Sequence, residues 1–170
     1  MTIFNHRISS TVELSLMNVQ IVTFPCTKMA AIEHIGPPWL EHDTARLMVE
    51  WKLENRLLDQ TRYRSYGLHY TDPRKVSPAE HRVEFCLSVD QDVSANPYGI
   101  YQKTIPDLRC ALARDLGSRA NNRAALYLCE EWLPTSGEEI AEFPIIFHYV
   151  NVGPNVKQHE AVTNVYLPLK

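Results

Sequence analysis

The stretch Ala30-Ala31-Ile32-Glu33-His34-Ile35-Gly36 returns as Ala111-Leu112-Ala113-Arg114-Asp115-Leu116-Gly117, 81 positions further along the chain. The echo continues on both sides at the same offset, pairing Phe24-Pro25 with Ile105-Pro106 and Glu50-Trp51 with Glu131-Trp132. It then slips by one residue: Tyr63 to Tyr70 answers to Phe143 to Val150, and Val83-Glu84-Phe85-Cys86-Leu87 to Thr163-Asn164-Val165-Tyr166-Leu167, at an offset of 80. Few identities survive, yet a glycine, a Glu-Trp dipeptide and a terminal strand keep register. The chain therefore reads as a duplicated unit. Two copies are too few for an open solenoid, so they are expected to bury their apolar faces against each other. One cleft should remain along the pseudo-two-fold axis, where ligand sites commonly lie.

Apolar patterning gives each copy the same order. Strands are expected over residues 19–24 and 28–35, then a helix from Trp39 to Leu58 whose Leu40, Leu47, Met48, Trp51 and Leu58 share one face. Strands follow over 63–70 and 81–89, and Asp90 to Pro97 links the copies. The second copy repeats the pattern with strands at 98–105 and 108–116, a helix from Ala120 to Trp132, and strands at 144–150 and 161–167. Pro134 and Gly137 are expected to stop this second helix. The fold class is α+β: two strand-strand-helix-strand-strand units, with antiparallel sheets carrying the helices on one face. Residues 1–18 form a lead-in, with an edge strand expected at Val12-Glu13-Leu14. Residues 19–170 form a single domain of two repeats, 19–90 and 98–170.

Composition narrows the function classes. With 45% hydrophobic and 22% charged residues in 170, the chain falls in the ordinary globular range and can bury roughly 70% of its unfolded surface. A net charge of -3 provides no basic footprint for nucleic acid, and no direct nucleic-acid partner is expected. The opening residues lack the basic leader and apolar core of a secretory signal, and no stretch approaches a membrane span. A cytoplasmic location and no membrane partner follow as expectations. Cys26, Cys86, Cys110 and Cys129 lack Cys-x-x-Cys spacing and read as reduced thiols that pack as small hydrophobes.

Period-two alternation sorts the closing strand of each copy into two sets. Val83, Phe85 and Leu87, matching Thr163, Val165 and Leu167, should meet the helix. The opposite set, Glu84 with Cys86 and Asn164 with Tyr166, combines a carboxylate, an amide and a phenol. Glu84 reads either as a solvated surface residue or as a desolvated carboxylate in a cleft among Tyr166, Tyr149 and Phe147, where an organic cation would relieve its cost. His69 on the neighbouring strand corresponds to Tyr149. Glu131 and Trp132 lie at a helix end, where Trp132 can reach the rim between units, and Trp39 after the Pro37-Pro38 bend can close the other side. Trp51 reads as core. The expected ligand-binding set is Glu84, Glu131, Trp132, Trp39, His69, Phe147, Tyr149, Asn164 and Tyr166. The histidines lack zinc-site spacing, no phosphate loop or Gly-x-Ser-x-Gly elbow occurs, and no catalytic residue, metal or cofactor is assigned.

At Glu131-Trp132-Leu133-Pro134-Thr135-Ser136-Gly137 the chain resembles the GyrI-like family, the ligand-binding module also found as the effector-binding domain of AraC/XylS-type and multidrug-sensing transcription regulators. Gly36-Pro37, the Tyr66-Gly67-Leu68-His69-Tyr70 strand with Asp72-Pro73, and Val165-Tyr166-Leu167-Pro168-Leu169 support it over about residues 19 to 170. The resemblance implies a pseudo-symmetric duplicated domain whose central cleft receives hydrophobic, often cationic, small molecules between aromatic walls and a buried glutamate. Many relatives are acidic where this chain has Asn164, which leaves Glu84 or Glu131 to supply the charge. His69 stands where the family has a tyrosine, while Tyr149 fills the matching place in the second copy.

Regulators of this kind add a helix-turn-helix domain of about a hundred residues, for which this chain has no room, so a stand-alone binding module is expected. The alternatives are a small hydrolase of electrophilic compounds, with Glu84 or Glu131 as general base beside Tyr149 or Tyr166, and a gyrase-inhibitor-like module whose partner is a protein. A homodimer also stays open.

Overall fold

A computed structural model describes residues 16–170. The strand expected at Val12 to Leu14 lies outside the described residues. The first copy supplies β1 (Val19–Phe24), β2 (Thr27–Ile35), α1 (Glu41–Glu54), β3 (Ser65–His69) and β4 (Arg82–Ser88). The second supplies β5 (Tyr101–Ile105), β6 (Leu108–Leu116), a helical segment α2 over residues 123–136, β7 (Ile145–Tyr149) and β8 (Val162–Pro168). All the strands join one eight-stranded antiparallel sheet in the order β1-β6-β8-β7-β3-β4-β2-β5. The α+β class and the duplicated order are those the repeat implies.

The halves exchange their first strands, which the repeat did not reveal. β1 pairs with β6 of the second copy, and β5 with β2 of the first. The reason lies in the connections Pro25-Cys26 and Pro106-Asp107. A two-residue hairpin needs φ > 0 at its first loop position, whereas proline holds φ near −65°. Each connection therefore carries the chain across to the other half instead of turning it back, and the crossings meet where the Cys26 N–H donates to Asp107 Oδ1 at 2.8 Å.

The sheet is strongly curled. β1 and β3 are four strand positions apart, about 19 Å in a flat sheet, yet the rings of Phe24 and Tyr66 are 5.7 Å apart and edge-on. Phe24 also meets Tyr166 at 5.2 Å. These rings, with Met29, Leu68, Cys86, Ile105, Cys110 and Ile146, fill the inside of the curl. The other face carries the helices. α1 packs Met48 and Trp51 on Ala30, Ile32 and Leu87, and α2 packs Ala124 and Leu128 on Ala111, Ala113, Val165 and Leu167.

Both helices depart from their expected ends. α1 stops at Glu54 rather than Leu58, because Arg56 takes a left-handed φ of 56° and the Asn55 side chain caps the Trp51 carbonyl at 2.8 Å. α2 does not stop before Pro134. A widened π-helical turn over Tyr127–Trp132 precedes the proline, which then sits in the first turn of a further α-helical piece, Leu133–Ser136, where its missing N–H is harmless. Gly137, at φ 76°, provides the left-handed stop.

Candidate functional site

A cavity of about 590 Å³ lies on the helix-bearing face, between α1 and the segment leading into α2, over the junction of β3, β4 and β7. One wall is a helical stripe that borders the core stripe of α1 and shares Met48 with it: Glu41, Ala45, Met48, Val49 and Lys52, spaced to share a side. The floor is Ser65, Tyr66 and His69 of β3, Phe85 to Leu87 of β4 and Tyr149 of β7. Arg119, Ala120 and Asn122 make the opposite wall.

The two walls are built alike. Gly36, at φ 141°, donates its N–H to the His81 carbonyl at 2.9 Å, and Gly117, at φ 125°, donates to the Ala161 carbonyl at 2.8 Å. These equivalent turns pin the lead-in of each helical segment against the start of the last strand of its own copy. In the first copy the turn sets Glu41 over His81, a side chain only 1% exposed, whose Nε2 donates to Glu41 Oε1 at 2.5 Å. Nε2 carries the proton, since a carboxylate only accepts. His81 Nδ1 is in turn 3.1 Å from Thr71 Oγ1, which accepts the Arg82 N–H at 2.9 Å. Among the described residues, Glu41 Oε2 has no hydrogen-bond partner, and Glu41 faces the cavity. Its place in the first turn of α1 also suits a negative charge.

In the second copy the turn delivers Arg119. Its Nε donates to Thr163 Oγ1 at 2.9 Å, and Nη2 to the carbonyls of Asn151 and Val162 at 2.8 and 2.9 Å. The guanidinium lies 5.2 Å from the centre of the Tyr149 ring. Burial lowers its pKa.

Tyr149 and His69 close the floor. The Tyr149 hydroxyl is 3.2 Å from His69 Nε2, and the His69 ring lies 4.0 Å from that of Phe147. Burial, helped by the charge of His81, lowers the His69 pKa to about 4, so the ring is neutral near pH 7. Burial raises that of the Tyr149 phenol; Glu41 pushes it further up and Arg119 pulls it down, so both charges reach the hydroxyl.

His69 and Tyr149 are the residues of the sequence-derived set that line this cavity, and Phe147 backs His69 from below. The others lie elsewhere. Glu84, 2% exposed, faces the other side of the sheet and is bound by the hydroxyls of Tyr70 and Tyr101 and by Lys103 Nζ at 2.8 Å. Tyr166 is part of the core inside the curl, and Asn164, on the same side of β8, accepts from Arg114 Nε at 2.9 Å. Glu131 is exposed, Trp132 packs half-buried on the α2 cluster, and Trp39 is 65% exposed. The cavity lies on the opposite side of β4 and β8 from the expected cleft: curling fills the Glu84–Tyr166 side, while the helices leave room between them on the Phe85 side. Glu41, His81, Arg119 and Lys52 line the cavity and were not in the expected set. The signal available was the repeat itself, because Pro38 answers to Arg119 and Glu41 to Asn122, each 81 residues apart, and these pairs differ in charge beside the same glycine.

The chain is 30% identical over 154 residues to a protein of Escherichia coli O157:H7 named "Probable transcriptional regulator YgiV", covering 90% of this chain and 96% of that one. Its fold matches the EcmrR C-terminal domain with a TM-score of 0.72 at 16% identity, over 91% of this chain and 98% of that chain. It also matches SAV2435, solved bound to tetraphenylphosphonium, with a TM-score of 0.57 at 12% identity, over 91% and 94%. The GyrI-like small molecule binding domain matches residues 17–170 of this duplicated, curled fold, and the chain belongs to that family.

Proposed function

We propose that this chain is an effector-binding module that takes hydrophobic, cationic small molecules in the cavity between α1 and α2, with Glu41 rather than Glu84 or Glu131 supplying the charge. The observation that carries the reading is the Oε2 of Glu41, unpartnered among the described residues, on a wall it shares with Ala45, Met48, Val49 and Lys52 and that faces Phe85 and Tyr149. A carboxylate held by a buried imidazole on the wall of a cavity floored by aromatic rings favours an organic cation over water. The tetraphenylphosphonium on SAV2435 is a ligand of that kind in the same fold. The name of the YgiV relatives extends the proposal: ligand binding is read out as regulation.

Fluorescence titration with tetraphenylphosphonium, followed through tyrosine and tryptophan emission, tests it. Saturable micromolar binding is expected, and Glu41→Gln should weaken the cation about tenfold while sparing triphenylphosphine oxide, its neutral analogue. Absence of saturation, or equal losses for both compounds, would remove the reading.

A second reading rests on the Glu41–His81 pair in the same cavity as the Tyr149 hydroxyl. A carboxylate steered by an imidazole can act as a general base toward water, with the phenol as acid. Turnover of small electrophiles that disappears in Glu41→Gln would favour hydrolysis; binding without turnover would favour the receptor.

A further inference from the structure

The charges left free on the cavity wall are of both signs. Glu41 offers one carboxylate oxygen. Opposite it, Arg119 is held by neutral acceptors alone: a threonine hydroxyl, two backbone carbonyls and the Asn151 amide oxygen at 3.2 Å. Among the described residues no carboxylate pairs with it, and its Nη1 donates to nothing. Lys52, further along α1 on the same cavity, also makes no ion pair among the described residues. A ligand carrying only positive charge would meet one carboxylate and two cations.

The pseudo-two-fold axis explains how the walls came to differ. Position 38 answers to 119 and position 41 to 122, so the copies place Pro38 and Glu41 on one wall and Arg119 and Asn122 on the other. His69 and Tyr149, 80 residues apart, meet on the floor between them. Divergence of the repeat has made a symmetric cavity electrically polar, with a carboxylate at one end and a guanidinium at the other. A guanidinium with free N–H groups and no counter-ion is a ready acceptor-binding group, because its planar fork matches a carboxylate and its desolvation is already met by the protein.

We propose that the cavity selects dipolar amphiphiles: molecules with an apolar aromatic body, a cationic nitrogen directed at Glu41 and a carboxylate or similar anion directed at Arg119. This rests on the receptor reading and adds an anion subsite to it. Arg119, rather than Glu41, then separates a zwitterion from a simple cation of the same shape.

Rhodamine 110 and its methyl ester, rhodamine 123, share one xanthene and differ in a free carboxylate, so their dissociation constants test the subsite directly. The wild-type protein should bind the acid about tenfold more tightly than the ester, the scale of one charge-assisted hydrogen bond. Arg119→Gln should bring that ratio to about one, and Arg119→Lys, which keeps the charge but loses the fork, should retain part of it. Glu41→Gln should weaken both dyes by the same factor. A wild-type ratio of one, or equal losses of acid and ester in Arg119→Gln, overturns the anion subsite while leaving the receptor standing. If neither dye saturates the wild type, the receptor reading falls and the subsite with it. Should Arg119→Gln fail to fold, the wild-type ratio and Arg119→Lys decide between the same outcomes.

Discussion

The hydroxyl of Tyr149 lies 2.7 Å from the point that a β-carbon on Gly67 would occupy. Gly67 does not have a left-handed φ, so its role is one of space: the missing side chain lets the Tyr149 ring lie flat across β3 and reach His69. A methyl group there would also meet His69 Nε2 at 3.1 Å. Gly67→Ala should lift the ring into the cavity, cost about 1–3 kcal/mol of stability through overpacking, and weaken binding of a cationic dye. Denaturant unfolding and dye titration together check this. Unchanged affinity would mean that Tyr149 is not part of the binding wall.

His81 does not line the pocket as a contact group so much as it aims one. Its Nε2 bond fixes Glu41, and Thr71 fixes the ring in turn. His81→Ala should free the carboxylate to swing into solvent at the mouth of the cavity. Affinity for tetraphenylphosphonium should fall by about tenfold while affinity for triphenylphosphine oxide holds. His81→Gln, whose amide can still donate, should recover part of the loss. Equal effects on the charged and neutral compounds would assign His81 to packing alone.

The duplication, the α+β class and the order of elements were legible because each rests on local periodicity and on glycines and prolines at fixed positions. The strand exchange was not, since Pro25 and Pro106 mark a bend without saying which half the chain enters. The face of the cavity was missed for a related reason. Alternation along β4 separates Glu84 from Phe85 correctly, but only the curl, visible in the contact of Phe24 with Tyr66, decides which side is filled. The carboxylate beside tyrosines at Glu84, expected from the sequence to line a ligand cleft, is bound by Tyr70, Tyr101 and Lys103.

That network makes its own prediction. Burial alone would raise the Glu84 pKa, but the bonds from Lys103, Tyr101 and Tyr70 outweigh it and hold the group below its ordinary 4.5. A depressed carboxylate stabilises the fold fully above its unfolded pKa and loses that contribution as pH falls through the folded one. Glu84→Gln leaves Lys103 without its partner and should cost roughly 1–3 kcal/mol, moderated because Lys103 reaches solvent. Dye affinity should not change, since Glu84 lies across the sheet from the cavity. A large loss of affinity in a folded Glu84→Gln protein would contradict that placement.

Histidines set the response to milder acid. Burial lowers the pKa of His69 to about 4, and burial with the nearby Arg64, Arg114 and Arg119 lowers that of His148 to about 4, both from 6.5. Between those values the unfolded chain binds protons that the folded chain refuses, so stability rises with pH across the window and falls on acidification from 6.5 toward 4. Each ring can contribute a loss of roughly 3 kcal/mol by the lower end. His148 stacks on Tyr66 at 4.7 Å and does not itself line the cavity, so His148→Gln separates its share of the effect from that of His69. Unfolding free energies measured between pH 6.5 and 5, above the range where carboxylates such as Glu84 titrate, should decline in the wild type and decline about half as steeply in His148→Gln. A flat wild-type profile over that window would mean that both imidazoles take up protons as readily in the folded protein as in the unfolded chain.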